Sequence, residues 1–233
     1  MKSYFKIFLF SFSLLLFHCS SDDDSGNGGG GGGGSLNAQA TYRVTITGDF
    51  TALTHPTDYP ANAGFSKMFF MAHSNTTSLY ALGTAGSPGL KEYATTGSIT
   101  TLNSEHIQTQ DGVDPTVIAI GSDISATGTH EFTITITPST TLISFVARID
   151  PSPDWFVGAS SFNLVNPDNT LKDNHEFSLF PIDAGADGGT TYESPDDPTS
   201  GPVTSISGAP FTGPNGFIQR LGNVVIERID QED

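Results

Sequence analysis

The run His130–Thr137, "HEFTITIT", places Phe132, Ile134 and Ile136 at every second position with threonines between. Side chains alternate across a strand, so this segment has one face for a core and one for water. Seven segments share the character: "TYRVTITGDF", "SKMFFMAH", "TVIAIG", "HEFTITITP", "TLISFVARID", "EFSLFPID" and "NVVIERID", each bounded by Gly, Pro, Asn or Asp. A single short helix is expected at Pro88–Ala94, "PGLKEYA". Strands with one wet face belong to antiparallel sheets, and with so little helical period the chain is expected to be all-β, an antiparallel β-sandwich. Two connections, "GDFTALTHPTDYPANAGFS" and "SPDDPTSGPVTSISGAPFTGPNGF", exceed ordinary loop lengths. Loops of that size at one end of a sandwich are where sites collect.

The first residues read as a targeting segment. Lys2 and Lys6 precede an apolar run that ends at Phe17, the layout of a signal peptide and too short for a comfortable membrane span of about 20 residues. Cys19 follows directly, which points to residues 1–18 as a lipoprotein signal cut before a lipidated Cys19. Phe17 and His18 depart from the small residues usual there, and ordinary secretion with Cys19 incidental is the alternative. Residues 19–40 hold "SSDDD" and a long Gly/Ser run, a flexible linker. The acidic tract behind Cys19 resembles the one that sends some bacterial lipoproteins to the outer face of the outer membrane; a merely solvated linker is the alternative. Residues 41–230 are enough for one sizeable domain. Cys19 is the only cysteine, so that domain contains no disulfide.

Cleavage after His18 removes Lys2 and Lys6 and no acid, so the 9 basic side chains become 7 against 25 acidic ones, a net charge near −18. Nucleic acid and direct attraction to anionic lipid both need basic surface and are disfavoured. Cation binding and a soluble extracellular surface are compatible with it. The acids cluster at strand ends: Asp150 and Asp154 in "RIDPSPDW", Asp183 and Asp187 in "FPIDAGADGG", Asp196 and Asp197 in "SPDDP". Gly185, Gly188 and Gly189 let the chain fold back so that Asp187 points where Asp183 does. Two such carboxylates repel unless a cation lies between them. Loop oxygens without thiols suit Ca²⁺, and scattered histidines disfavour zinc. The match to an EF-hand is superficial, since the position twelve counted from Asp183 is Ser194. The bland alternative is that these aspartates cap turns and keep the surface soluble.

"RIDPSPDWFVG", then "FNL", then "LFPIDAGADGGTTYESP", resembles the signature of the spondin N-terminal domain, the family of F-spondin and the mindins. The earlier "YRVTITGDF", "HPTDYP", "FSKMFFMAHS" and "LYALGTAGSPGLKEYATTGS" are similar to that family's opening segments, so the likeness runs from Thr41 to about Asp230. The resemblance implies a C2-like antiparallel β-sandwich of eight strands, no catalysis, and a Ca²⁺ ion held at the loop end by Asp154, Asp183 and Asp187. Asp150 stands where animal members carry an uncharged residue, a candidate extra acid. Animal domains have disulfides and sit beside thrombospondin repeats; here a lone domain on a lipid tether is expected. Pro151 and Pro153 restrict the backbone between strand and loop and present Asp154 at small entropic expense. Trp155 and Phe156 are expected to anchor the segment in the core, with an exposed ligand platform as the alternative for Trp155.

No nucleophile elbow, zincin, P-loop or dinucleotide motif occurs. Glu176 and Asp183 as a glycosidase pair, or His55 and His73 as catalytic bases, are patterns any acidic protein offers. The expected role is a calcium-binding cell-surface module for adhesion or ligand binding, with an extracellular protein or glycan as partner. The alternative is a glycan-capture lipoprotein of an uptake system whose calcium is purely structural; an exposed aromatic platform near the loops would favour it.

Overall fold

The computed structural model describes residues 39–107 and 116–230. The expected signal peptide of residues 1–18, Cys19 and the expected linker up to residue 38 lie outside the described residues. In chain order the elements are β1 (Ala40–Gly48), β2 (Gly64–Phe65), β3 (Phe69–His73), α1 (Pro88–Thr96), α2 (Thr100–Ile107), β4 (Thr116–Ile120), β5 (Ile124–Ser125) and β6 (Thr129–Ile136), then β7 (Leu142–Asp150), β8 (Trp155–Asn163), β9 (Asn174–Leu179), β10 (Ile182–Asp183), β11 (Thr204–Ser205) and β12 (Gly222–Arg228). Four of the strands are two-residue pairings, which leaves eight of five residues or more. All pairings are antiparallel, and the chain is an all-β sandwich.

One layer runs β6-β1-β12-β9. Its alternation is clean: Ala40, Tyr42, Val44 and Ile46 are buried and the residues between them partly wet. In β6, Ile134 and Ile136 are buried while the threonines face water, as the period of two requires. The other layer runs β11-β10-β8-β7-β2-β5, with β3 and β4 joined beside β7. Here the expected wet face is missing. β7 is buried from Ile143 to Ile149 on both sides. Phe145, Ala147 and Ile149 enter the core between the sheets, and Val146 joins an outer cluster with Leu90, Tyr93, Leu102 and Phe156. Helices α1 and α2 supply that cover.

α1 begins where its caps dictate. Ser87 accepts the Leu90 N–H at 3.1 Å, Pro88 occupies the first turn where its missing donor is harmless, and Gly97 closes the helix at φ 75. α2 is a second helix not foreseen from the sequence. "EFSLFPID" also divides: Pro181 has no N–H to continue the ladder, and the chain leaves β9, paired to β12, to form β10 against β8. This crossing between layers delivers Asp183 to the loop end.

Candidate metal centre

Pairing of β10 with β8 sets Asp183 opposite Trp155 and Ile182 opposite Phe156. Asp183 is thereby one residue from the chain position of Asp154, although 29 positions separate them in sequence. The turn that follows is held by its own acids. Asp183 Oδ1 accepts the Gly185 N–H at 2.7 Å, and Asp187 Oδ1 accepts the Gly189 N–H at 2.7 Å. Asp187 Oδ2 takes the Asp197 N–H at 3.0 Å, which ties in the "SPDDP" loop. Gly185 sits at φ +70, and a Cβ there would lie 2.5 Å from the Gly201 carbonyl oxygen, so only glycine fits.

Asp154 reaches into this turn. Its Oδ2 accepts the Ala186 N–H at 2.6 Å and the Asp187 N–H at 3.1 Å. The residue is fully buried, and its other oxygen, Oδ1, has no hydrogen-bond partner. A buried polar atom without a partner is costly, and a carboxylate more so. Burial pushes the Asp154 carboxyl up to about 6, the Ala186 amide opposes this, and the charges of Asp183 and Asp187 push further upward. Burial likewise raises Asp183, opposed by the Gly185 amide and assisted by the charge of Asp187. The ion pairs among the described residues engage Arg43, Arg148, Arg220 and Arg228, and none reaches these three acids.

Asp150 is different. Arg148, two residues back on the same face of β7, pairs with its Oδ1. Arg148 also donates from Nε to the Ala94 carbonyl at 2.8 Å and from Nη2 to the Ser152 carbonyl at 2.7 Å. The extra acid allowed for at Asp150 is thus neutralised by the protein. Asp196 and Asp197 are exposed. The Glu176–Asp183 pair is split between layers, with Glu176 accepting from Asn223 at 2.8 Å on β9. His55 is buried between Phe50 and Phe211, and His73 bonds Ser144 at 2.8 Å inside the sheet; both are core residues.

Sequence reasoning missed the support beneath the turn. Ser152 caps it, accepting the Trp155 N–H at 3.1 Å and donating to the Ile149 carbonyl at 2.6 Å. Trp155 is 3% exposed and packs edge-on against Phe211 and Tyr192, at 5.0 and 5.5 Å between ring centres. It is an anchor, not a platform. The exposed aromatics are elsewhere: Phe217 is 72% and Phe180 48% exposed, both in segments leading to or from the loop end.

The donor set fits a hard cation in its chemistry: carboxylate oxygens, one of them buried and unpaired, no sulfur, and no ion pair to any of the three acids among the described residues. It is not a closed side-chain cage. Among the described residues no group of three or more His, Cys, Asp or Glu is placed to hold a metal ion.

Fold and site together describe a two-layer β-sandwich with an acidic, backbone-braced loop end. The Spondin_N profile matches residues 40–216, and the chain belongs to the spondin N-terminal domain family. Spondin-1 of Homo sapiens is 35% identical over 206 residues, covering 82% of this chain and 25% of that protein. Spondin-1 of Gallus gallus is 34% identical over the same span. Spondin-2 of Homo sapiens is 32% identical over 191 residues, covering 78% of this chain and 57% of that protein. The chain therefore spans about a quarter of the length of its Spondin-1 relatives.

Proposed function

We propose that the protein is a calcium-dependent extracellular binding module with no catalytic activity, carried on a lipidated Cys19 at the outer face of an outer membrane. The observation that carries the calcium reading is Asp154 Oδ1, buried without a partner beside two further carboxylates. In the absence of a cation the fold holds this charge at a loss. Asp154, Asp183 and Asp187 would hold the ion, and because Ca²⁺ takes about six to eight oxygens, main-chain carbonyls and water would complete the shell. The ion supplies positive charge; the protein supplies rigidity through the N–H groups of Ala186, Asp187, Gly185 and Gly189. The acidic surface disfavours nucleic acid, and the partner is an extracellular protein or glycan. No helix among the described residues is long and apolar enough to cross a membrane.

Thermal unfolding in EDTA and across a calcium titration tests this. A ligand of the folded state stabilises by roughly 2.7 kcal/mol at a hundredfold excess over Kd. The melting temperature rises with calcium in the wild type and stays put in the double variant Asp183→Asn, Asp187→Asn. A wild type indifferent to calcium overturns the reading.

A second reading, glycan capture for an uptake system with calcium only structural, is favoured by the exposed Phe217 and Phe180. Aromatic faces of this kind stack on sugar rings. Phe217→Ala then weakens binding of a neutral oligosaccharide while the calcium response persists.

A further inference from the structure

A cleft of about 600 Å³ lies between α1 and the loop from Ala186 to Thr199, with Arg148 in its lining. Its size falls within the roughly 300–1,000 Å³ of small-ligand sites. Asp187 is one of its lining residues, so the cleft shares that side chain with the carboxylate turn, while Asp154 is not in the lining.

The charges there are distributed in an uneven way for this chain. With 9 basic residues against 25 acidic ones, two cationic side chains, Lys91 and Arg148, line the same cavity. Lys91 enters none of the ion pairs among the described residues. Its neighbour Glu92 is occupied by the Thr101 hydroxyl of α2. Arg148 is a built element of the wall: 8% exposed, oriented by Ala94, Asp150 and Ser152. A guanidinium has five N–H donors, and these contacts use three. The remaining N–H groups on Nη1 and Nη2 have no acceptor among the described residues.

The opposite side is acidic, with Asp196 exposed beside Asp187, and no aromatic ring lines the cavity. A ligand suited to both sides offers an anionic acceptor to Lys91 and Arg148 and hydroxyl donors to Asp196. A bare phosphate has the charge but few donors. A neutral sugar has the hydroxyls but finds no stacking surface. An acidic peptide has the carboxylate but not the ring of hydroxyls. We infer that this cleft binds a carboxylate-bearing saccharide of the uronic acid type, its carboxylate on Lys91 and Arg148 and its hydroxyls on Asp196. The inference deepens the binding-module reading and rests on it, but not on the calcium ion.

Isothermal titration of the protein with trigalacturonate, in EDTA so that the sugar's own affinity for calcium does not enter, tests it against neutral maltotriose, triglutamate and inorganic phosphate. The expected result is binding of the uronate alone. Lys91→Met weakens it about tenfold, the scale of one charge-assisted hydrogen bond, and Lys91→Arg restores most of it. Lys91→Met leaves the calcium shift in melting temperature unchanged. Arg148 variants are avoided because that side chain also holds α1. Absence of uronate binding, an equal affinity in Lys91→Met, or equal binding of triglutamate or phosphate overturns the inference. Uronate binding in a protein that ignores calcium refutes the ion reading and leaves the cleft standing; the reverse result refutes the cleft alone.

Discussion

Asp150 and Asp154 flank the same Pro-Ser-Pro turn, yet the fold treats them in opposite ways. Asp150 is half-exposed and faces a guanidinium that the same strand provides. Asp154 is fully buried, has two backbone N–H groups on one oxygen and nothing on the other, and faces two more acids. One carboxylate is balanced from within; the other has no ion-pair partner among the described residues. Position at a strand end therefore says little about an acid's role, and the nearest cation says much.

The comparison predicts different responses to mutation and to calcium. The largest effect belongs to the balanced side. Arg148→Met strips the donors from the buried Ala94 and Ser152 carbonyls and the partner from half-exposed Asp150 together, and each buried acceptor left unsatisfied costs about 1–3 kcal/mol. Urea unfolding should show the same loss with and without calcium; a loss confined to calcium-loaded protein would break the division between the two regions.

Next comes the unbalanced side in the absence of ions. Asp154 has a folded-state pKa near 6 against an ordinary value of 3.8, so the folded form binds its proton more tightly than the unfolded chain does. Stability in EDTA accordingly falls as pH rises from about 4 to about 6, by roughly 3 kcal/mol, and stays at the lower level above that. The raised Asp183 acts in the same direction. Calcium should remove most of this decline, because the ion favours the charged form. Asp154→Asn should flatten the EDTA profile as well, its amide oxygen still accepting from Ala186 and Asp187. A profile in EDTA that rises over this range contradicts the burial of a charge there.

Gly185→Ala is expected to cost about 2 kcal/mol through its left-handed backbone and the approach to Gly201. It should also reduce the calcium response, since Asp183 and Asp187 are braced across that turn. The smallest effect is Asp150→Asn. It removes a partly exposed pair worth about 1 kcal/mol and should leave the calcium shift in melting temperature intact, which separates it from Asp154→Asn.

Much of this was legible in the residues. The clean alternation of β1 and β6 specified a half-wet layer, and "PGLKEYA" from Pro88 to Ala94 marked most of α1. β7 was harder, since "LISFVARID" reads as alternation only if one ignores that Val146 is as apolar as Phe145. Its second face is covered by helices, and α2 carries a weak signal: only Leu102 and His106 of "TTLNSEHI" are buried. That helix is fixed from outside, by Glu105 accepting from Ser87 and Gly89 at the start of α1. The pairing of Arg148 with Asp150 could have been read from their spacing of two on one strand. The orphaned oxygen of Asp154 could not, because it depends on Pro181 sending the chain across to β8 and on which backbone amides then arrive.

The most direct test is calorimetric titration of calcium into the wild type, Asp154→Asn and Asp150→Asn proteins at neutral pH. The account predicts one ion per chain in the wild type and in Asp150→Asn, and none in Asp154→Asn. A wild type that takes up no calcium, or an Asp154→Asn protein that binds it as tightly as the wild type, would contradict the claim that Asp154 is balanced by an ion.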